Sequence, residues 1–389
     1  MCLASVLVVT SGYIGARVQM ATGWPKTVSA QEALEPGETA ESTEDAVPRV
    51  PESEQPDIMP VARSSNGQVP LQDAPKPGTS GHIWVDTNGE RRPAYVQIPQ
   101  TAAEGKPTPV VLAFHGYQEK PETMAAYSWL GKAWGKDGGD GAIVVYPEGK
   151  NKAWEGAPYA ETAHGQDVQF VRDLLDRLSA TYPVDATRIY AAGMSNGGGF
   201  GLKLACEMPE HFAAIASVSG AYYPGTWRNC ATKQSDPNNP ERITFTKGPA
   251  LPFLEIHGGL DSTISFKGGT RHGSPYLSAM RLSSLYAART ACFGAPVAVK
   301  VSEEVNRTEW TGCDQDAEVM QVDIVNAEHT WPGETKGYSG TGEALNRPAT
   351  VAGGQGQRTT EVISATSEVL AFFERHRLDV DARTAPAKG

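Results

Sequence analysis

The strongest chemical signal in the sequence is a serine between glycines. Residues 193–197 read Gly-Met-Ser-Asn-Gly, the G-x-S-x-G pattern that holds a nucleophilic serine on a sharp turn. Larger residues in the glycine positions would clash across such a turn. The run 188–192 has a strand pattern, and the residues from Gly198 onward have a helical pattern, which is the context the turn requires. We therefore predict that Ser195 is a catalytic nucleophile.

A serine nucleophile needs a base, and the base needs an acid that orients it. The chain order expected with this turn is serine, acid, histidine. Asp261 follows the strand-like run 251–256, and catalytic groups collect just past the carboxyl ends of such strands, so we predict that it is the acid. Five histidines follow the serine in the sequence: His211, His257, His272, His329 and His376.

We assign His329 as the general base because it lies between the last strand-like run, 319–325, and the last helical pattern. We expect His257 to be a structural histidine. The oxyanion of an acyl-transfer reaction also needs donors that are in place beforehand. We predict the backbone N–H groups of Asn196, next to the nucleophile, and of Tyr117, which follows the run Phe-His-Gly at 114–116. His115 in that run is expected to hold the loop.

The elements that must position these residues are short apolar runs alternating with helical patterns. Val- and Ile-rich runs at 109–114, 142–146, 188–192, 213–218, 251–256 and 319–325 are typical of buried parallel strands. Two further runs flank Asn88-Gly89, a hairpin signal. The fold class predicted is α/β, with a mostly parallel central sheet covered by helices on both faces. One helix is expected to begin with Ser274 as its cap and Pro275 in its first turn.

Composition limits the partners. The chain has 389 residues, of which 40% are hydrophobic, and carries 34 basic and 45 acidic residues for a net charge of −11. Nucleic acid and anionic membranes bind basic surfaces, so neither is expected as the main partner. No apolar run approaches the roughly 20 residues of a transmembrane helix, and no repeat of about 20–50 residues is visible.

The charge is concentrated near the amino terminus. Residues 31–60 hold nine acidic residues and one arginine, and eight of the 28 prolines fall between Pro36 and Pro77. Such a segment cannot bury enough apolar surface to fold, so we predict a disordered linker over 24–78. Residues 1–23 contain a short apolar run and are a candidate export segment, although they lack a basic start. The catalytic domain is predicted at 79–380, followed by a disordered tail at 381–389.

The cysteines also favour export. Without Cys2, which would leave with a signal segment, four remain: Cys206, Cys230, Cys292 and Cys313. An even number suggests disulfides in an oxidising compartment, and the absence of a C-x-x-C spacing argues against zinc. Three pairings are open, and the nearest-neighbour one joins 206 to 230 and 292 to 313. Each of these bonds would stabilise the fold by about 3 kcal/mol.

Taken in order, the motifs resemble those of the secreted esterase family that includes polyhydroxybutyrate depolymerases and feruloyl esterases, which has the α/β-hydrolase fold. The resemblance covers about residues 80–380 and rests on five motifs: 114–116, 146–149, 185–198, 257–261 and 329–333. It implies an ester hydrolase with Ser195, Asp261 and His329 as its triad and with no metal or organic cofactor. It also implies that Trp331 lines the substrate site, with Trp154 as a second candidate; the alternative for Trp331 is a packing role.

The resemblance leaves the substrate open. The substrates we expect first are feruloyl esters or polyesters. The alternatives are acetylxylan or a broad range of short-chain esters. A rival from a different class is a hydrolase-fold binding protein that has lost catalysis, which an intact set of catalytic residues argues against. The expected partner is an ester substrate. A monomer secreted to the outside of the cell is expected, although no residue fixes the oligomeric state.

Overall fold

A computed structural model describes residues 71–134, 141–239, 242–333, 360 and 362–379, and these described residues belong to one compact unit. The candidate export segment 1–23, most of the predicted linker and the tail 381–389 lie outside them. Residues 71–78, assigned to the linker from the sequence, pack onto the domain. The Leu71 N–H donates to Thr181 Oγ1 at 2.9 Å, and the carbonyl of Pro75 accepts from the Tyr182 hydroxyl at 2.8 Å.

Twelve strands are present in the described residues, and ten of them form one sheet. The sheet order is β1-β2-β4-β3-β5-β6-β7-β12-β11-β10, and the six strands from β4 to β12 run parallel. The pairs at both edges are antiparallel. The strands are β1 (Ser80–Thr87), β2 (Glu90–Gln97), β3 (Thr108–Phe114), β4 (Ile143–Pro147), β5 (Val184–Met194), β6 (Ala214–Val218), β7 (Phe253–Gly258), β8 (Gly269–Arg271), β9 (Ser274–Tyr276), β10 (Val297–Lys300), β11 (Val305–Trp310) and β12 (Val319–Ile324).

Helices cover both faces of this sheet. Successive residues of β3 alternate between two hydrophobic clusters: Val110 and Leu112 belong to one, Val111 and Ala113 to the other. The first cluster includes apolar residues of α3, α4 and α6, and the second those of α1, α2 and α7. The helices are α1 (Pro121–Ser128), α2 (Leu130–Ala133), α3 (Gln166–Thr181), α4 (Asn196–Glu207), α5 (Pro224–Trp227), α6 (Ala279–Arg289) and α7 (Ala365–Glu374).

The predicted fold class is confirmed, and each of the six predicted parallel strands is present. Burial on both faces explains their continuous apolar sequences, because every residue of β3, β4 and β6 is buried. The hairpin signal is also confirmed. Asn88 and Gly89 both have positive φ, 50° and 76°, as a two-residue hairpin turn requires, and β1 pairs with β2 through it.

One predicted helix start is wrong. Ser274 and Pro275 lie in β9, which pairs with β8 in a short hairpin. The helix begins at Ala279 instead, capped by Ser278, whose hydroxyl accepts from the Arg281 N–H at 3.1 Å. The Ser-Pro pair therefore lies in an edge strand of a two-stranded sheet, where proline is tolerated. The cap of the helix is the next serine in the sequence, Ser278.

Two disulfides join Cys206 to Cys230 and Cys292 to Cys313, which is the nearest-neighbour pairing. The first ties the end of α4, the helix that follows Ser195, to a 3-10 turn after α5. The second ties the chain after α6 to the chain after β11. In the described part of the chain, the longest helices are too short or too polar to cross a bilayer.

Candidate active site

Ser195 lies on a strained turn between β5 and α4. Its φ of 54° and ψ of −114° place a non-glycine residue in a rarely occupied conformation, and its side chain is almost fully buried. Two hydrogen bonds hold the turn. The Ser195 N–H donates to the carbonyl of Val218, the last residue of β6, and the Ser195 carbonyl accepts from the Ala221 N–H, both at 2.9 Å. The sequence therefore folds into the predicted strand–turn–helix around this serine.

Asp261 and His329 are brought together by neighbouring strands. Asp261 follows β7 and His329 follows β12, and these strands pair in parallel. His329 Nδ1 lies 2.7 Å from Asp261 Oδ2, and both side chains are buried. The other carboxylate oxygen of Asp261 accepts from the backbone N–H groups of Thr263 and Ile264, at 2.9 and 2.8 Å. The aspartate is thus fixed from both sides.

A close backbone approach makes this meeting of loops feasible. A Cβ atom on Gly258, the last residue of β7, would lie 2.4 Å from the carbonyl oxygen of Ala327. The Leu260 N–H donates to the same carbonyl at 3.0 Å. Only glycine fits where the loop carrying His329 crosses the end of β7, so the glycine after His257 serves the assembly of the acid–histidine pair.

The protonation of the pair follows from its surroundings. Burial alone would raise the pKa of Asp261, but hydrogen bonds from His257 and His329 outweigh it and hold that pKa well below its usual range. The aspartate is therefore ionised, and His329 Nδ1 must carry the proton that joins the two. Nε2 of His329 is then an acceptor. This nitrogen is buried and has no hydrogen-bond partner among the described residues, Ser195 included.

The two predicted oxyanion donors lie on elements that pack directly on each other. Asn196 is the first residue of α4, where N–H groups have no acceptor within the helix. A Cβ atom on the next residue, Gly197, would lie 2.1 Å from the carbonyl oxygen of Phe114 at the end of β3. The helix start and the loop carrying Tyr117 therefore meet at van der Waals distance.

The loop after β3 is fixed on both sides of Tyr117. The Gly116 N–H donates to Glu119 Oε2 at 2.8 Å, and the Gln118 N–H donates to the carbonyl of Lys152 at 2.9 Å. The N–H of Tyr117 has no acceptor in the part of the chain that the structure describes. Tyr117 therefore stays the predicted second oxyanion donor.

His115 holds the same loop, as expected. Its Nε2 accepts from the Gly149 N–H at 3.0 Å, so the ring proton sits on Nδ1 and is donated to the Gly116 carbonyl at 2.7 Å. Burial lowers its pKa to about 4, although the bond to Gly116 works in the opposite direction. His115 is therefore neutral and fully engaged, which leaves it no proton-transfer role at neutral pH.

Both tryptophans proposed for substrate contact lie in the core. Trp154 is fully buried and stacks on Phe200, with ring centroids 5.0 Å apart. Its backbone N–H and carbonyl bind the side-chain amide of Asn196, at 2.7 and 3.2 Å. Trp331 is 4% exposed, and its indole N–H donates to Thr366 Oγ1 at 2.9 Å. These placements favour packing and positioning roles over contact with a substrate.

Sequence reasoning missed an aromatic cluster near the loops of the site. Tyr159 is at its centre: its ring lies 4.1 Å from that of Tyr117, 4.8 Å from that of His272 and 6.1 Å from that of Tyr223. Tyr223 in turn contacts Tyr276 at 5.7 Å. We call these five residues the tyrosine cluster. Its members come from three separate loops and the β8–β9 hairpin, so no local sequence pattern could have revealed it.

The tyrosine cluster contacts the loops that carry Tyr117, Ser195 and Asp261. Tyr117 lies on the loop after β3. The Tyr223 N–H donates to the carbonyl of Ala221, the residue bonded to Ser195. Tyr276 accepts the Ser265 N–H at 3.0 Å and packs near Ile264, which binds Asp261. The tyrosine cluster thus lies beside the loops of Ser195 and Asp261.

A second missed feature lies beneath Asp261. His257, fully buried, faces Glu255 Oε1 with Nδ1 at 2.8 Å and the Ile264 carbonyl with Nε2 at 2.8 Å. Its Nε2 is also 3.3 Å from Asp261 Oδ2. Burial opposes a charge on His257, but its bonds to Asp261 and Glu255 outweigh burial and raise its pKa to about 10. His257 is structural, as expected, and it is also charged.

A sheet of this topology, with a serine turn after β5, an aspartate after β7 and a histidine after β12, defines the α/β-hydrolase fold. Residues 86–306 match the sequence profile of the family described as "Putative esterase". That match covers more than half of the chain, so the chain belongs to this family, and its enzyme class is ester hydrolase.

Individual relatives are distant. A protein named "Putative esterase NocK" from Nocardia uniformis subsp. tsuyamanensis is 28% identical over 277 residues, 66% of this chain and 72% of the relative. Feruloyl esterase B from Piromyces equi is 27% identical over 53% of this chain and 37% of its own length. The chain spans between 37% and 72% of the length of the relatives that match first.

Among solved structures, an acetyl xylan esterase from Aspergillus awamori aligns with 67% of this chain and 97% of its own. The TM-score is 0.47 and the identity 17%, an overlap too loose to bear on the substrate.

Proposed function

We propose that the protein hydrolyses carboxylic esters with Ser195, His329 and Asp261 as a catalytic triad. The observation that supports this most is the Asp261–His329 pair. Its geometry puts the imidazole proton on Nδ1 and leaves Nε2 as a base at the carboxyl edge of the sheet where Ser195 is held. The complete set of candidate groups argues against the rival of a hydrolase-fold binding protein without catalysis.

The reaction follows from these roles. Ser195 Oγ attacks the ester carbonyl while His329 Nε2 takes the hydroxyl proton, and the ionised Asp261 stabilises the imidazolium. The N–H groups of Asn196 and Tyr117 bind the oxyanion. His329 then returns the proton to the departing alkoxide, which leaves as the alcohol, and an acyl-enzyme remains. Water, deprotonated by the same nitrogen, attacks the acyl carbonyl. The bond to Ser195 Oγ then breaks, His329 returns the proton to that oxygen, and the acid is released.

The tyrosine cluster favours an ester with an aromatic group. Flat rings bind well against tyrosine faces and edges, which supply apolar surface together with oriented hydroxyl groups. Tyr117 and Tyr159 are half-buried, so their rings and hydroxyl groups are the ones a substrate can reach. A feruloyl ester has both a ring and phenolic and methoxy oxygens, and some relatives are named feruloyl esterases. An acetyl or other short-chain acyl group has no aromatic ring to bind against the tyrosine cluster.

We also propose that the protein works outside the cell. Two disulfides are typical of chains that fold in an oxidising compartment, because cytosolic thiols are kept reduced. The candidate export segment at 1–23 agrees with this proposal.

The triad is tested by Ser195→Ala in the full-length protein. We expect circular dichroism and melting temperature close to those of the wild type, and turnover of p-nitrophenyl acetate lower by at least about 1,000-fold. Ser262→Ala, which changes an exposed serine on the Asp261 loop, is the matched control and should keep full activity. A Ser195→Ala enzyme that retains most of its turnover would exclude the assignment.

The substrate class is tested by comparing methyl ferulate with p-nitrophenyl acetate. Efficient turnover of both would support an aromatic ester. Turnover of the acetate alone would rule out a feruloyl site and make short-chain or polyester substrates the better description.

A further inference from the structure

Beneath the triad lies a second buried ion pair whose charges the mechanism above does not use. It consists of Glu255 and His257 on β7, and it touches the triad only through Asp261. All three side chains are buried. Because buried charges persist only where they are paired and hydrogen-bonded, the proton positions in this group follow from its geometry.

The ring of His257 can donate from both nitrogens. Nε2 faces the backbone carbonyl of Ile264 at 2.8 Å, and a carbonyl only accepts, so Nε2 carries a proton. Nδ1 faces the carboxylate of Glu255 at 2.8 Å. The remaining oxygen of Glu255 accepts from the Tyr222 hydroxyl, which is itself 2.6 Å from Ser217 Oγ. One proton therefore lies between Glu255 Oε1 and His257 Nδ1.

The neighbouring charge decides between the two positions of this proton. On Glu255 it would leave a neutral ring beside the ionised Asp261, whereas on Nδ1 it makes the ring a cation 3.3 Å from that carboxylate, and the net charge of the buried group is −1 either way. The strands around it add one further charged group: Asp323 on β12 is the register partner of His257 and hydrogen-bonds to Gln321 at 2.9 Å.

We propose that His257 is a permanently protonated positioning residue that Glu255 keeps charged and that acts on His329 through Asp261. The 3.3 Å contact between His257 Nε2 and Asp261 Oδ2 fixes the oxygen that also meets His329. Its positive charge offsets part of the carboxylate field, so His329 becomes protonated only at lower pH. The general base is consequently free for catalysis further into the acid range than an isolated Asp–His pair would allow. This inference rests on the proposed triad.

The first experiment is the pH dependence of kcat/KM for His257→Gln in the full-length protein. Glutamine can still donate toward Asp261 but carries no charge, so the acid limb should move to higher pH by about one unit. KM should change little, because the residue touches no substrate. A folded, active variant whose acid limb stays in place or moves to lower pH would overturn the proposal.

Asp323→Asn is the matched control. Burial raises the pKa of Asp323 to about 6, so this residue could titrate in the same pH range as the acid limb. It lies beside His257 on β12 but does not bond to Asp261, and removing a carboxylate should move the limb slightly to lower pH, if at all. A shift to higher pH as large as that of His257→Gln would assign the effect to the general field of the strand ends and reject a specific role for His257.

A second measurement does not depend on activity or on the folding of a variant. In the wild-type protein labelled with ¹⁵N-histidine, the ring of His257 should show both nitrogens protonated at pH 8. A neutral His257 ring at this pH would refute the proposal. If Ser195→Ala stays active while His257 is doubly protonated, the triad fails and the buried cation stands.

Discussion

Tyr159 is the residue on which substrate preference should depend most. It is half-buried, contacts three other rings of the tyrosine cluster and belongs to none of the hydrogen bonds that hold the catalytic loops. Burial, reinforced by the neighbouring tyrosines, raises the pKa of its hydroxyl far above the usual value, so the side chain stays neutral under assay conditions.

We expect Tyr159→Ala to lower kcat/KM for methyl ferulate about 10- to 100-fold, since one aromatic contact contributes about 1–3 kcal/mol. The same variant should change kcat/KM for p-nitrophenyl acetate by less than about threefold. Tyr159→Phe keeps the ring and should behave like the wild type on both substrates. Equal losses on both substrates in steady-state assays would show that the tyrosine supports the loops and does not contact the acyl group.

At this scale the sequence predicted what short patterns contain. The flanking glycines predict Ser195 as a candidate. Asp261 and His329 are predicted from their positions after strands. The tyrosine cluster and the charge on His257 depend on contacts between distant segments, which spacing does not encode. For Trp331 the resemblance implied the substrate site and left packing as the alternative, and its membership of the second hydrophobic cluster favours packing.

At the scale of elements, the start of α4 is the part of the candidate site with the least space for a larger residue. A Cβ atom on Gly197 would lie 2.1 Å from the Phe114 carbonyl oxygen, and that oxygen belongs to the backbone of β3 and cannot move aside. Gly201, one turn later in the same helix, meets only Ile215 Cγ2 at 3.4 Å, an ordinary contact.

Gly197→Ala should therefore destabilise the protein by more than about 3 kcal/mol, or prevent folding, because helix and strand must separate. Gly201→Ala should be neutral or stabilising by up to about 1 kcal/mol, since alanine favours the helix. Urea unfolding of the two variants beside the wild type measures both. Similar stabilities for the pair would mean that the helix start is not tightly packed on β3.

Elements differ in how far their sequences predicted them. The parallel strands were found because burial on both faces makes them continuously apolar. The β8–β9 hairpin, with three exposed residues in β8, and the exposed edge strand β10 carry no such signal. The helix start predicted at Ser274 lies in that hairpin. A Ser-Pro pair is compatible both with an edge strand and with the start of a helix, so the sequence did not distinguish the two.

For the whole molecule, the pH dependence of stability should contain a contribution from one buried carboxyl. Glu155 is 1% exposed, and its Oε2 is buried without a partner among the described residues. Burial raises its pKa to about 7; the ammonium of Lys203, 3.9 Å away, opposes this, while Asp167 and Glu207 reinforce it. The folded protein therefore holds this proton more tightly than the unfolded chain does.

The sign follows from linkage. Between pH 4.5 and 7 the folded state binds more protons at Glu155 than the unfolded state, so stability is lost as pH rises through this window, and the penalty is constant above it. Glu155→Gln removes the titration and keeps an oxygen for the Val168 N–H, which Glu155 now accepts at 3.3 Å. Relative to the wild type, the variant should gain up to about 3 kcal/mol between pH 5 and pH 8.

Urea unfolding at the two pH values tests this, with Glu104→Gln, an exposed glutamate, as the control. Contributions from His257 and Asp323 are common to the variant and the wild type and cancel in the difference. The control should differ from the wild type by the same small amount at both pH values. A Glu155→Gln difference that is equally independent of pH would show that Glu155 stays ionised in the folded protein, held by Lys203 against the cost of its burial.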